Sequence, residues 1–148
     1  MKIQKSIDIA APPDKIWPYM VEPEKIMQWF TLLRKFEYTS SKHSGAGATF
    51  YYEEKSGPML MKLNFRVTEW LENKKLAFVL TCGMMKKDDQ IWELKATPDG
   101  SRFIATEEIE MPWGIIGRAM VKLFIAGGVA KHMKEIMGNL KHLVEGEN

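Results

Sequence analysis

The sequence predicts an α+β domain in which helices cover one face of a seven-stranded antiparallel sheet. Short segments with the period-two alternation of strands fill most of the chain as far as Glu110, and turn residues separate them. Residues 114–145 contain no proline and few turn residues, so this stretch of roughly thirty residues is predicted to be helical. Runs of strands followed by a helix are typical of α+β proteins.

Length and composition predict a single domain over residues 1–148. With 45% hydrophobic and 27% charged residues, the chain matches a globular domain that buries about two-thirds of its unfolded surface. Its 21 basic and 19 acidic residues are interspersed and give a net charge of +2. Because no basic block is present, we expect no nucleic-acid partner.

The first strand is predicted from the alternation of Ile3, Ile7 and Ile9 with polar residues. This opening lacks the continuous apolar run of a signal peptide, and no later segment has the length of a membrane span. Cys82 is the single cysteine and has no spaced partner for a disulfide or a metal. We therefore expect a cytoplasmic protein without a metal site.

Two short helices are predicted directly after the first strand. Proline at position 13 is well placed in a first helical turn, and Ile16, Tyr19 and Met20 follow at helical spacing. A second short helix is predicted for Pro23–Trp29.

Six further strands are predicted, and turn residues bound each of them. They cover residues 34–40, 48–54, 59–70, 75–82, 90–96 and 102–110. The connections between them are short, which indicates that neighbouring strands are antiparallel.

Three local patterns, in this order of elements, are similar to those of a known superfamily. Residues 9–17 (IAAPPDKIW) resemble its strand-to-helix entry, residues 22–29 (EPEKIMQW) its second short helix, and residues 137–141 with Glu145 its helix end. The chain as a whole resembles the START/Bet v 1-like (SRPBCC) superfamily, and within it the polyketide cyclase/dehydrase and lipid-transport-like proteins. The resemblance implies a helix-grip fold, in which the sheet wraps around the C-terminal helix and encloses a cavity.

The resemblance also implies a range of functions. Members include lipid and sterol carriers, quinone-binding chaperones, aromatase/cyclases and Hsp90 co-chaperones. We expect binding or transport of a lipid, isoprenoid or polyketide-like molecule, with a cyclase/dehydrase-type enzyme or a chaperone-type interaction module as alternatives. The sequence has no Ser-His-Asp order, phosphate-binding glycine loop or paired metal ligands, so no catalytic residue and no cofactor are predicted.

Strand alternation selects the residues that face the interior. In the strand over residues 59–70, apolar side chains share one face and polar side chains the other, and the same test applies to the neighbouring strands. The face of the strand over residues 48–54 stays open, because Tyr51 competes with its neighbours. These side chains form either a solid core or the wall of a pocket, since alternation does not separate the two. The predicted ligand-binding residues before residue 100 are Trp29, Phe50, Tyr52, Met61, Leu63, Phe65, Phe78 and Trp92.

Glu107 is a further candidate with two possible orientations. It shares a strand face with Phe103 and Ala105, which would place it inside as an acid or a hydrogen-bond acceptor. The other register exposes it to solvent, and the cost of burying an unpaired carboxylate favours that register. His132 falls near the edge of the helix's polar face, where a solvated histidine is expected, and the alternative is that it reaches the mouth of the cavity.

The predicted C-terminal helix changes character along its length. Its second half is amphipathic, with Met133 on the apolar face. In its first half, the side that is charged further on carries Ile116, Met120, Leu123 and Phe124. Met120, Phe124 and Met133 complete the predicted ligand-binding residues.

The change coincides with the pair Gly127-Gly128, which leaves two explanations. Either the helix breaks there and its first segment forms a lid, or it continues and exposes an apolar patch. Such a patch would meet a membrane surface, a twin subunit or a client protein.

Overall fold

The computed structural model describes residues 1–146, apart from the side chain of Phe124. The strands are β1 (Lys2–Ile9), β2 (Leu33–Tyr38), β3 (Thr49–Ser56), β4 (Met59–Leu71), β5 (Lys75–Cys82), β6 (Lys87–Thr97) and β7 (Gly100–Glu110). The helices are α1 (Pro13–Val21), α2 (Pro23–Trp29), α3 (Gly114–Met120) and α4 (Ala126–Gly146), with a π segment (Val121–Ile125) between the last two.

All seven strands form one antiparallel sheet in the order β1-β7-β6-β5-β4-β3-β2. The sheet curls around α4, so the predicted helix-grip architecture is confirmed. The number of strands and the two short helices also agree with the sequence analysis. One boundary differs from the prediction. Strand β6 begins at Lys87 rather than at residue 90, so it includes Asp88.

Helix α4 packs its apolar stripe against the sheet and the short helices. Met133, Ile136, Met137, Leu140 and Val144 are buried along this stripe. Its last turns are tied to the end of β1, where the Lys141 ammonium donates to the Asp8 carbonyl oxygen (2.7 Å) and Glu145 accepts from the Ala10 amide (2.9 Å).

Helix α2 is fixed at its C-terminal residue, Trp29. The indole Nε1 of this fully buried side chain donates to the Tyr19 carbonyl oxygen of α1 (2.8 Å). From α4, Asn139 Nδ2 donates to the Trp29 carbonyl oxygen (3.3 Å). These bonds set the distance between the short helices and α4, and hence the space between them and the sheet.

One half of the interior is a solid aromatic core. Phe65 stacks on Phe50 and Tyr52 with ring centroids 5.3 and 4.9 Å apart, and Phe78 meets Phe65 edge to face at 5.3 Å. Only about 10 Å³ of space remains beside these rings. On this side, the predicted inward-facing side chains therefore form a solid core and not the wall of a pocket.

The C-terminal helical region continues through the glycine pair. Gly127 and Gly128 lie inside α4, so the break considered at this position is absent from the structure. The irregularity is the π segment, which ends just before α4 begins. A π turn contains more residues than an α turn, so it rotates the side chains before it relative to those after it. This rotation accounts for the change of apolar face.

Residues before and within the π segment divide between two environments. Val121 is buried against Ile109 and Met111 in a second apolar cluster. Ile116 and Leu123 are 70% and 71% exposed, so the helical region carries an exposed apolar patch and does not fold back as a lid. No helix within residues 1–146 combines the length and the apolar character needed to cross a bilayer.

Candidate functional site

A cavity of about 60 Å³ lies between α4 and the inner faces of β3, β6 and β7. Most of its wall is apolar, with Trp29, Trp92 and Phe103 on one side and Met133 and Met137 of α4 on the other. The indole ring of Trp29 contacts the rings of Trp92 and Phe103, with ring centroids 5.5 and 6.2 Å away. At about 10–15 Å³ for each water, the cavity has room for roughly four to six water molecules.

Three carboxyl groups converge at one end of this cavity. Glu54 on β3 and Glu107 on β7 line it, and Asp88 on β6 lies beside them at 2% exposure. Asp88 and Glu107 share a side-chain hydrogen bond. Gln90 Nε2 lies 3.3 Å from Asp88 Oδ1, to which it donates. We call Glu54, Asp88 and Glu107 the carboxyl cluster.

Burial makes the carboxyl cluster hold protons near neutral pH. Desolvation is the largest cause for each group, and it raises the pKa of Glu54 and of Asp88 to about 7. For Glu107, desolvation together with the neighbouring Asp88 and Glu54 raises the pKa well above its usual range. Glu107 is therefore a hydrogen-bond donor at pH 7, and Asp88 is the acceptor beside it.

Two further polar side chains reach this region. Tyr52 is buried, hydrogen-bonds with Gln90, and has a pKa raised well above its ordinary value by desolvation. His132 of α4 lines the cavity, and its ring meets that of Phe30 at 5.3 Å. Burial lowers the pKa of His132, and its buried Nε2 has no hydrogen-bond partner among the described residues. A neutral imidazole thus presents an unpaired nitrogen in the cavity wall.

These groups can do two things chemically. A protonated Glu107 and a neutral His132 can together hydrogen-bond a polar atom that lies between β7 and α4. The Asp88–Glu107 pair can also exchange a proton with such an atom, because Asp88 titrates near the working pH. Within residues 1–146, no three His, Cys, Asp or Glu side chains are placed to hold a metal ion.

The predicted ligand-binding residues fall into four groups. Trp29, Trp92, Glu107 and Met133 line the cavity. Phe50, Tyr52, Phe65 and Phe78 form the aromatic core, and Leu63 and the half-buried Met61 complete its packing. Met120 lies on the exposed surface, and the side chain of Phe124 is outside the described part of the chain.

For two polar residues the favoured solvated orientation is wrong, and the alternative orientation is the one found. Glu107 does not take the solvated register, because Phe103, Ala105 and Glu107 face inward together and the neighbouring carboxyls stabilise its protonated form. His132 is half-buried in the cavity wall rather than solvated on the polar face.

Sequence reasoning also missed three polar residues of the site. Glu54 follows Tyr52 by two positions and so shares its face, which is a signal that alternation alone contains. Asp88 and Gln90 precede Trp92 on the same face of β6. Asp88 was missed because the predicted strand began at residue 90, after it.

Solved structures share this architecture across nearly the whole chain. The protein TTHA0849 from Thermus thermophilus has a TM-score of 0.84 at 15% identity, covering 100% of this chain and 99% of its own. The Zhui aromatase/cyclase from Streptomyces sp. R1128 has a TM-score of 0.80 at 11% identity, with 98% and 93% coverage. Ara h 8.0201 has a TM-score of 0.74 at 13% identity, with 97% coverage of both chains. At these identities the likeness is one of fold.

Comparison of sequences gives the family. The sequence has no significant match among curated proteins. The sequence profile of the family described as polyketide cyclase / dehydrase and lipid transport matches residues 1–145. The profile covers all seven strands and nearly all of α4, so the chain belongs to the polyketide cyclase/dehydrase and lipid transport family.

Proposed function

We propose that this protein binds a small hydrophobic molecule with an uncharged hydrogen-bonding group in the cavity between the sheet and α4. The observation that carries the proposal is the carboxyl cluster at one end of a mostly apolar cavity. Ligand sites in proteins are typically apolar with a few convergent polar groups, and this cavity has that composition.

The charge of the cavity selects among hydrophobic ligands. Asp88 and Glu54 each carry partial negative charge near pH 7, and neither they nor Glu107 are paired with a cationic side chain among the described residues. A fatty carboxylate would bring another negative charge into this low-dielectric site, which is unfavourable. An alcohol, ketone or quinone-like oxygen brings no charge, and it would accept the hydrogen bond of Glu107 in place of Asp88.

A ligand larger than a few water molecules requires the cavity to enlarge. Met133 and Met137 of α4 form part of the wall, and methionine side chains adapt to different shapes at low cost. We propose that these two side chains move when the ligand enters. The solid aromatic core around Phe65 keeps its packing, because its rings already contact one another on several sides.

Displacement of a neutral fluorescent probe tests this proposal. N-phenyl-1-naphthylamine is expected to gain fluorescence with the protein, and decanol is expected to displace it while decanoate does not. Ala105→Met, which fills the cavity, should abolish the signal, and the matched control Ala96→Met at an exposed position of β6 should retain it. Equal displacement by decanol and decanoate, or binding unaffected by Ala105→Met, would contradict the proposal. If the probe binds and is displaced as expected, native mass spectrometry of gently purified protein would identify the natural ligand.

A second candidate function is acid–base catalysis of the cyclase/dehydrase type on the bound molecule. The observation that favours it is the Asp88–Glu107 pair, which holds a transferable proton near neutral pH. Glu107→Gln keeps the shape of the side chain but removes the proton exchange. If a dehydration occurs, the compound that co-purifies with Glu107→Gln should be heavier by one water than the compound from the wild type. Identical compounds from both proteins would support binding alone.

Two other expectations stay predictions. A cytoplasmic location is predicted from the sequence alone. The exposed apolar residues of the C-terminal region are proposed to form an interaction surface. Its candidate partners are a membrane, a second copy of the chain and a client protein.

A further inference from the structure

The most exposed apolar side chains of the described structure lie together at the start of the C-terminal helical region. Ile115, Ile116 and Leu123 are 79%, 70% and 71% exposed, and Trp113 and Met120 lie beside them in the chain with more than a third of their surface exposed. We call these five residues the α3 surface. Single exposed apolar residues are ordinary, but several within eleven consecutive positions indicate an interaction site.

The rest of the protein cannot cover this surface without unpacking α3. Gly117 is buried, and a Cβ at this position would lie 3.0 Å from Met111 Cβ, so the inner side of α3 is in close contact with the chain before it. Val121 continues this inner side into the cluster with Ile109 and Met111. Because the inner side is occupied, Ile115, Ile116 and Leu123 point away from the protein, and Trp113 and Met120 are partly exposed beside them.

The helical segments that carry and follow the α3 surface contain more basic than acidic residues. Between Glu110 and Glu135 the chain contains four basic residues and no acidic residue. All four are exposed, and they are Arg118, Lys122, Lys131 and Lys134. The acidic residue nearest in sequence, Glu110, is already paired with Lys86 at 2.7 Å. Glu108 is likewise paired with Lys87 at 3.0 Å.

We propose that the α3 surface docks this protein on the surface of an anionic lipid bilayer. The aliphatic side chains and Trp113 would enter the interfacial region, where tryptophan is favoured, while the basic residues contact lipid phosphates. A second copy is a poorer occupant, because a symmetric contact would bring two sets of these four basic side chains together, while the nearby Glu110 and Glu108 are already paired with Lys86 and Lys87. The inference goes beyond ligand binding in the cavity and does not depend on it.

Vesicle flotation tests the proposal directly. The full chain is expected to float with vesicles of phosphatidylcholine and phosphatidylglycerol in equal parts, and to float much less with phosphatidylcholine alone or at high salt. Leu123→Glu should lower the affinity for anionic vesicles by about tenfold or more, since it removes apolar area and adds repulsion. Leu71→Glu, at an exposed leucine outside this surface, is the matched control and should bind as the wild type does.

Tryptophan fluorescence gives a second readout that does not depend on affinity. Anionic vesicles should shift the emission to shorter wavelength, and the shift should vanish in Trp113→Phe, which keeps the other tryptophans. Circular dichroism confirms that each variant is folded. The proposal is overturned if wild-type protein does not float with anionic vesicles, or if Leu123→Glu and Leu71→Glu float alike. Self-association that Leu123→Glu abolishes, without vesicle binding, would assign the surface to a second copy instead.

Discussion

Asp88 and Glu107 hydrogen-bond to each other inside the cavity, although they lie on different strands and both would be negatively charged in water. In the β6–β7 register Gln90 pairs with Glu107, so Asp88 approaches Glu107 diagonally along the same inner face. Two carboxyl groups this close share a proton rather than ionise together.

Replacing Asp88 with asparagine should weaken the pH dependence of stability. The pKa of Asp88 rises from 3.8 to about 7 on folding, so between these values the folded chain keeps a proton that the unfolded chain has lost. The free energy of unfolding therefore falls as pH rises through this window, by a few kcal/mol from this group alone. Asp88→Asn, which keeps the hydrogen-bond acceptor for Gln90, should be more stable than wild type at about pH 8 and closer to it at about pH 5.

Urea unfolding at the two pH values measures this effect. The matched control is Asp89→Asn, on the outer face of the same strand, where the side chain is paired with Lys87 at 3.4 Å. Asp88→Asn should reduce the slope of stability against pH, and Asp89→Asn should not raise stability at the higher pH. A slope unchanged by Asp88→Asn would show that Asp88 does not hold its proton in the folded state.

His132 should titrate below the ordinary histidine range. Burial in the cavity wall lowers its pKa from 6.5, because the charged imidazolium loses its hydration there. Proton NMR of the imidazole resonances against pH measures the midpoint, and His132→Gln identifies the resonance by its disappearance. A midpoint above 6.5 would contradict the burial of this imidazole in the cavity wall.

Truncating Leu140 should destabilise the fold far more than truncating Leu143. Leu140 is fully buried in the core, whereas Leu143 on the same helix is half-buried. Leu140→Ala is expected to lower the free energy of unfolding by about 2–5 kcal/mol, and Leu143→Ala by roughly 1 kcal/mol. Chemical denaturation of both variants measures the difference. Equal losses would mean that α4 does not present Leu140 to the sheet.

Alanine at the glycine pair should stabilise the protein. A Cβ at Gly127 or Gly128 has open space around it, and both residues lie inside α4, where alanine is favoured by about 0.5–1 kcal/mol each. Thermal unfolding of the double variant should show a raised midpoint.

Gly100→Ala is the opposite case and serves as the control. Gly100 has φ +152°, and a Cβ there would clash with the Ile9 carbonyl oxygen and approach the Ala11 amide nitrogen to 2.7 Å. This variant should lose stability. A lowered midpoint for the glycine-pair variant would instead indicate that the pair is a hinge that the protein needs.

Local patterns in the sequence determined most of the fold. Alternation identified the inner face of β4 at Leu63, Phe65 and Val67, because a strand places every second side chain on the same side whatever its partners are. The absence of proline after residue 113 and the apolar stripe containing Met133 and Leu140 determined the long C-terminal helix for the same local reason.

The tertiary structure decided which polar side chains meet in the site. Glu54, Asp88 and Glu107 are brought together by the pairing of strands that are distant in sequence. Burying a charged carboxylate is unfavourable, and Glu107 avoids this cost because burial and its carboxyl neighbours raise its pKa and keep it protonated. The orientation of the α3 side chains relative to those of α4 likewise depends on the π segment between them, and Val121 of this segment packs into the second apolar cluster. Cavity volume is also non-local, because it is the small space left after all of these elements have packed.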